Sequence, residues 1–400
     1  MGEASTMRRN PELTLVFVVT ALAITAHYMA TPLVPLAAER LGANTAGVGL
    51  ASGIFALLPL LFAVPVGVLA DRAGQGRVAV AGTLMMGATT LALLLPTFDG
   101  LVAAQALRGL GQVALMIGMQ GFIAAIIATG PRRDTAYGSF VLAVSIGQLG
   151  GPALGGWVTE NAGLPAAFTV SAGLAFVAVL AGLRIAFRRT PAGLGQAEAA
   201  PDLKGAFSLL RERPVKGAVA ASCVILLQVA FGTSFYPVFL QHAGFPATAI
   251  GLLIALRGAG ACFGRPLLPA LLRVADDRWR LLRIVFVASC LGTLATPFVP
   301  VFWYQALIAV SVGVAAAVAQ PITMAVVADH SGENRRSQAV ALRVGANRLL
   351  QFVGPLAFGL LGEHVGLAGT FVAGGLVPLI GLLPLRGLRG RASVPEPSRV

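Results

Sequence analysis

A chain of 400 residues that is 56% hydrophobic and only 11% charged cannot clothe a water-facing surface, because soluble domains carry roughly 25% charged residues. That excludes the soluble globular classes and leaves an all-α polytopic membrane protein. The net charge of +13 does not point to nucleic acid; arginine supplies nearly all of it, gathered in short polar knots between alternate apolar runs.

A helix needs about 20 apolar residues to cross the hydrocarbon core, and runs of that length predict twelve spans. In chain order they fall near 13–36, 46–70, 77–96, 100–125, 135–159 and 166–187, then 217–240, 247–272, 281–299, 302–327, 336–361 and 367–387. The first is too long for a signal peptide and lacks a small-residue cleavage site, so it reads as a retained span. Knots on one side hold Arg8 and Arg9, Arg72 and Arg77, Arg132 and Arg133, Arg188 and Arg189, Arg211 and Arg213, Arg278 and Arg280, Arg335 and Arg336, and Arg386 and Arg389. The other side offers Arg40 alone, beside Glu39, Asp99, Glu160 and Glu363. The positive-inside rule then places both termini in the cytoplasm, with the chain in a cell inner membrane.

The longest polar stretch, 188–216, contains Pro191, Pro201, Pro214 and the amphipathic piece DLKGAFSLLRER. It reads as a cytoplasmic linker between a six-helix half over 1–187 and another over 217–400. The halves are related. A shift of 203 residues lays Arg132 on Arg335, Gln148 on Gln351, Gly151-Pro152 on Gly354-Pro355, Gly156 on Gly359, Glu160 on Glu363 and Phe168 on Phe371. Upstream, a shift of 200 lays Gln105-Ala106-Leu107 on Gln305-Ala306-Leu307. Two parallel repeats around a central site are transporter architecture. Cys223, Cys262 and Cys290 lie inside apolar runs, giving neither a disulfide framework nor metal spacing. No cofactor or metal is expected.

The knot after span two reads GVLADRAGQGR, from Gly67 to Arg77. It resembles the loop signature G-x-L-A-D-R-x-G-x-x-R of the major facilitator superfamily. With the repeat and the span count, the resemblance extends over nearly the whole chain and implies that family's fold. Gly67 and Gly74 suit close approach and turning, while Asp71 can face a helix N-terminus, where negative charge is stabilised by roughly 0.3–1 kcal/mol. The resemblance implies a latch between halves in one access state, carried by Asp71, Arg72, Arg132 and Arg133, with Arg77 completing the motif. On span five, SIGQLGGPALGG carries Gly147, Gly151, Pro152, Gly155 and Gly156. These match the superfamily's G-x-x-x-G-P-x-x-G-G pattern, which implies export in exchange for ions. Gly147, Gly151 and Gly155 share one helix face and make a groove for a neighbouring backbone. In the second copy Leu350 and Phe358 replace the outer two glycines.

Span four carries Arg108 in QALRGLGQ, similar to the family's span-four arginine motif. That similarity implies bonding to the span-one backbone and a part in proton handling. Arginine in hydrocarbon costs between roughly 2.5 and 17 kcal/mol and is usually buried and functional. Arg257 in span eight and Arg348 in span eleven are further intramembrane arginines; with Tyr28, Gln228, Tyr236 and Asn347 they are candidates for the substrate cavity. Arg343, Asn347 and Gln351 lie four apart as one polar stripe, and Arg343 is near enough to the cytoplasmic end to snorkel or support Asp71. All sixteen Asp and Glu residues lie at span ends or in knots. Many drug/proton antiporters of the family carry an aspartate or glutamate in span one or four; at the comparable place in span one this chain has His27 and Tyr28, and histidine as a residue type titrates near neutrality.

The reading that follows is a proton-driven exporter of small organic molecules, favouring anionic or neutral polar substrates and working as a monomer. The alternative is a proton-coupled importer of an organic anion. No buried acid, metal cluster or activated nucleophile supports a membrane enzyme. The chain lacks a G-x-x-x-x-G-K-[ST] loop for an ATP-driven pump.

Overall fold

Proline and glycine decide where the helices begin and end. In the computed structural model, residues 11–127, 131–188, 208–331, 336–385 and 387–388 are described. Arg8, Arg9, Arg189, Arg335, Arg386 and Arg389, the linker residues 189–207, and the side chains of Arg132 and Arg336 lie outside the described residues. Helix α1, Pro11–Ala30, stops where Pro32 offers no N–H to the Tyr28 carbonyl, and α2, Leu33–Arg40, restarts with Pro35 in its first turn. Asn44 caps α3, Thr45–Gly53, by accepting from the Gly47 N–H at 2.9 Å. A 3₁₀ turn over Ile54–Ala56 leads into α4, Leu57–Ala73. Gly74, at φ 102°, then turns the chain into α5, Gln75–Ala92. Thr97 caps α6, Phe98–Ile126.

The longest helices are interrupted once each. Helix α7, Pro131–Phe187, breaks at Gly163 with φ 85°. Helices α8, Arg213–His242, α9, Ala247–Ala275, α10, Arg278–Ala295, and α11, Phe302–His330, follow. Helix α12, Arg336–Ile380, breaks at Gly366 with φ 71°. The two breaks stand 203 residues apart, the repeat shift. Among the described residues nine helical segments are long and apolar enough to cross a membrane. No strand occurs among them.

The chain packs as two units. The first takes the described residues within 1–199, 233–255 and 352–363; the second takes those within 200–232, 256–351 and 364–400. In the first, Ile24, Leu115, Met119, Phe122 and Phe140 join α1, α6 and α7 around one core. In the second, Phe286, Leu282, Val318, Ile322 and Val326 join α10 and α11 to α8. Outward lie Leu61, Val64, Phe187, Val274 and Trp303, all strongly exposed. Such a surface is stable in lipid, where backbone polar groups are satisfied inside each helix.

Candidate functional site

Arg108 is completely buried in the first unit. Its Nη2 donates to the His27 carbonyl at 2.5 Å and to Thr31 Oγ1 at 3.4 Å, and its Nη1 donates to Gln105 Oε1 at 3.2 Å. All three acceptors are neutral, and Nε is buried without an acceptor. Hydrogen bonds to a charged group contribute roughly 1.5–3 kcal/mol each, which offsets only the lower end of the burial cost. The guanidinium also lies 5.9 Å from the Phe55 ring centroid. Phe55 in turn stacks on the His27 ring at 5.2 Å, and Tyr28 meets that ring edge-on at 5.0 Å. The neighbouring glycine, Gly109, lets α6 press on the Phe55 carbonyl. The His27 carbonyl also accepts from the Thr31 N–H at 3.1 Å and hydroxyl at 2.7 Å, in the turn that ends α1. Arg108 is therefore tied to the proline-marked bend of α1.

The span-five glycines meet the same helix. An added Cβ at Gly147 would stand 2.6 Å from Thr25 N, at Gly151 2.7 Å from Thr25 O, and at Gly155 2.6 Å from Met29 O. Each obstacle is backbone, which cannot swing aside. Ser171, beyond Gly163 on α7, donates to the Ala26 carbonyl at 2.7 Å. Gly156 turns elsewhere, onto the Ala247 carbonyl and Gly251 of α9, where a Gly251 side chain would run into the Pro152 carbonyl. The repeat reproduces this contact: Gly359 of α12 faces Thr45 and Ala46 of α3, and a Gly49 side chain would run into the Pro355 carbonyl. Beyond the predicted fifth span, Glu160 Oε2 accepts from the Thr248 N–H at 2.8 Å. Hydrogen bonds from Thr248 hold the Glu160 carboxyl below its ordinary range.

Across the Gly74 turn, Asp71 Oδ1 in the last turn of α4 accepts from Nε2 of Gln75, the first residue of α5, at 2.6 Å. Arg72 is exposed, and Arg77 donates to the Ala73 carbonyl at 3.4 Å. Arg133 lies over the Tyr137 ring at 5.9 Å. Gly67 has open space where its side chain would be, so packing within the described residues does not require a glycine there.

In the second unit Arg343 is buried rather than snorkelling. Its Nη2 donates to Gln320 Oε1 at 2.6 Å and to Thr323 Oγ1 at 3.0 Å, tying α12 to α11. One turn on, Asn347 exchanges hydrogen bonds with Ser222 at 2.9 and 3.1 Å, tying α12 to α8. The stripe read from spacing thus serves two neighbours. Gln228 is also committed, donating to Ser289 O at 3.0 Å and Thr293 Oγ1 at 2.7 Å. Arg257 is half-buried, 3.5 Å from the Val229 carbonyl, and its guanidinium fills the space beside Gly232. Arg348 is half-buried and donates to Gln351 Oε1 at 3.3 Å. Tyr236 is buried in the part of α8 belonging to the first unit. The spacing marks Arg343 but not its partners Gln320 and Thr323 on α11.

A sequence profile of the Major Facilitator Superfamily matches residues 16–288 and 244–399. The chain is 23% identical to an uncharacterized MFS-type transporter of Methanocaldococcus jannaschii over 358 residues, 85% of this chain and 88% of that one. It is 32% identical to a chloramphenicol efflux pump of Mycobacterium tuberculosis over 190 residues, 45% of each chain. Among solved structures it superposes on the nucleoside transporter NupG with a TM-score of 0.77 at 14% identity, covering 94% of this chain and 99% of that one.

Proposed function

The chain belongs to the major facilitator superfamily, and from that premise we propose that this transporter exports small anionic or neutral polar organic molecules in exchange for protons. One observation carries the reading. A fully buried Arg108, tied to the α1 carbonyl at His27, sits beside a helix whose Gly147, Gly151 and Gly155 admit the α1 backbone. A cation held only by neutral acceptors is sensitive to any charge that arrives or leaves nearby. His27, stacked on the Phe55 ring beside it, is the proton carrier in this proposal. In the second unit Arg257 and Arg348 attract the substrate's acidic or polar group, with Gln228 and Asn347 as further candidate contacts there; Tyr28 and Tyr236 are the candidate contacts carried by the first unit. The efflux activity named for the mycobacterial relative supports the outward direction.

Twelve spans follow if α7 and α12 each cross twice, meeting at Gly163 and Gly366, and if Gln75–Ala92 crosses as well. We place both termini and the Asp71 loop in the cytoplasm, the chain as a monomer in an inner membrane, and the linker at 188–216 between six-helix halves. Asp71, with Arg72, Arg132 and Arg133, latches the cytoplasmic side in one of the two access states; here Asp71 accepts a hydrogen bond from Gln75. The test is substrate-evoked proton movement in energised inverted vesicles. Dequenching by organic anions or neutrals that disappears in Arg108→Ala supports antiport. A response confined to lipophilic cations contradicts the assignment of Arg257 and Arg348.

A further inference from the structure

Arg343 carries its charge into the second unit with no carboxylate to meet it. The side chain is only 6% exposed, and among the described residues it makes no ion pair. Its Nη2 is spent on Gln320 Oε1, on Thr323 Oγ1 and, at 3.3 Å, on the Gln320 carbonyl. Its Nη1 reaches Met324 Sδ at 3.5 Å, and a thioether is a weak acceptor. Nε is buried with no acceptor. So is Nε2 of Gln320, on the same carboxamide whose oxygen holds Nη2. The Thr323 hydroxyl adds no donor, because it already donates to the Ala319 carbonyl at 2.9 Å. Two side chains thus bring unpaired donors and a full positive charge to one place between α11 and α12. Buried donors without acceptors are rare and costly, and a buried cation without a counter-charge is costlier still. Arg108 is not equivalent. There the Phe55 ring faces the guanidinium, whereas at Arg343 a second side chain supplies a further unpaired donor.

We propose that Arg343 and Gln320 form a binding site for a compact monovalent anion of the halide class. One guanidinium asks for one negative charge. The unpaired donors belong to a planar fork and to a separate carboxamide, and a spherical ion accepts from both without the fixed directions a carboxylate requires. Burial of Arg343 favours a small ion over a bulky organic one. Gln320 is half-buried and Met324 is exposed, so the site lies one side chain below the surface of the unit and an ion can reach it. An anion held there converts the tie between α11 and α12 from neutral acceptors to charge-assisted bonds. One turn further on, Asn347 joins the same helix to Ser222 of α8, so the ion steadies three helices together. This goes beyond the exporter reading, in which Arg257 and Arg348 attract the cargo and Arg343 has no part.

The test is thermal unfolding of the full chain in detergent while sodium chloride replaces sodium gluconate at constant ionic strength, with bromide and sulfate as comparisons. A ligand that binds only the folded state raises the melting temperature and saturates, and we expect a rise of about 2–5 °C for chloride and for bromide. Sulfate stabilises proteins by exclusion from their surface, so its effect should grow without saturating and be equal in every variant. Arg343→Gln should lose the halide response. Gln320→Glu places a carboxylate beside Arg343 as a built-in anion; it should also lose the response, while melting in gluconate at least as high as the parent does. That variant decides the matter if Arg343→Gln fails to fold. Arg280→Gln, at an exposed arginine, should keep the whole shift. A parent whose halide response is absent or unsaturable, or a halide response retained in either Arg343→Gln or Gln320→Glu, would overturn the site. No substrate or proton gradient is used, so failure of the exporter reading would leave this result standing.

Discussion

Arg108 has exchanged water for three neutral oxygens in a fixed fork, and a lysine ammonium cannot reproduce that geometry. Arg108→Lys should therefore fold but lose at least about tenfold in exchange rate, roughly 1.4 kcal/mol in the barrier. Retained exchange in that variant would reduce Arg108 to a point charge. Gly232 allows a subtler probe of the second unit. A side chain there displaces the Arg257 guanidinium without removing its charge, so Gly232→Ala should raise the apparent KM for an anionic substrate several-fold while the maximal rate holds. Glu160 supplies the pH prediction. Its carboxyl is held below the ordinary range by Thr248, so the bond is intact above that range and is lost as pH falls through the lowered value. Acidification from about pH 5 to about pH 3 should lower the melting temperature of the parent more than that of Glu160→Gln. At this scale the sequence marks which residues are costly to bury but not what they touch. Arg343 stands where a snorkelling arginine would, yet it bonds Gln320 and Thr323, because the partners of a side chain depend on which helix packs alongside.

Among the elements, α7 carries the sharpest contrast between neighbouring positions. A Cβ at Gly151 would stand 2.7 Å from the Thr25 carbonyl, whereas at Gly150 nothing lies within 4 Å. Gly151→Ala should cost about 1–3 kcal/mol by forcing backbones apart. Gly150→Ala should be neutral or gain about 0.5–1 kcal/mol, as an open mid-helix glycine does. Thermal unfolding of both in detergent separates the two, and equal melting temperatures would contradict the face assignment. The spacing of Gly147, Gly151 and Gly155 made the shared face legible, since four residues advance only slightly more than one helical turn. Which helix fills that face was not legible. Gly156, one residue past the face, turns to α9 instead.

At the scale of the whole molecule, α8, α9 and α12 each contribute residues to both units, and the repeat governs what they do in the first. The contact of Gly156 with Ala247 is matched by that of Gly359 with Thr45. The all-α membrane fold and the repeat were readable from apolar runs and the 203-residue shift. The close contacts of Gly156 with Ala247 and of Gly49 with Pro355 were not, because spacing says which positions correspond and not which ones touch. The central claim is exchange of a substrate for protons across the membrane. Its most direct measurement follows a pH-sensitive dye in energised inverted vesicles while organic cations, neutrals and anions are added in turn. The account predicts dequenching by particular anions or neutrals, lost in Arg108→Ala and absent from vesicles without the protein. Silence across the panel, or a response to lipophilic cations alone that persists in Arg257→Ala and Arg348→Ala, would contradict it.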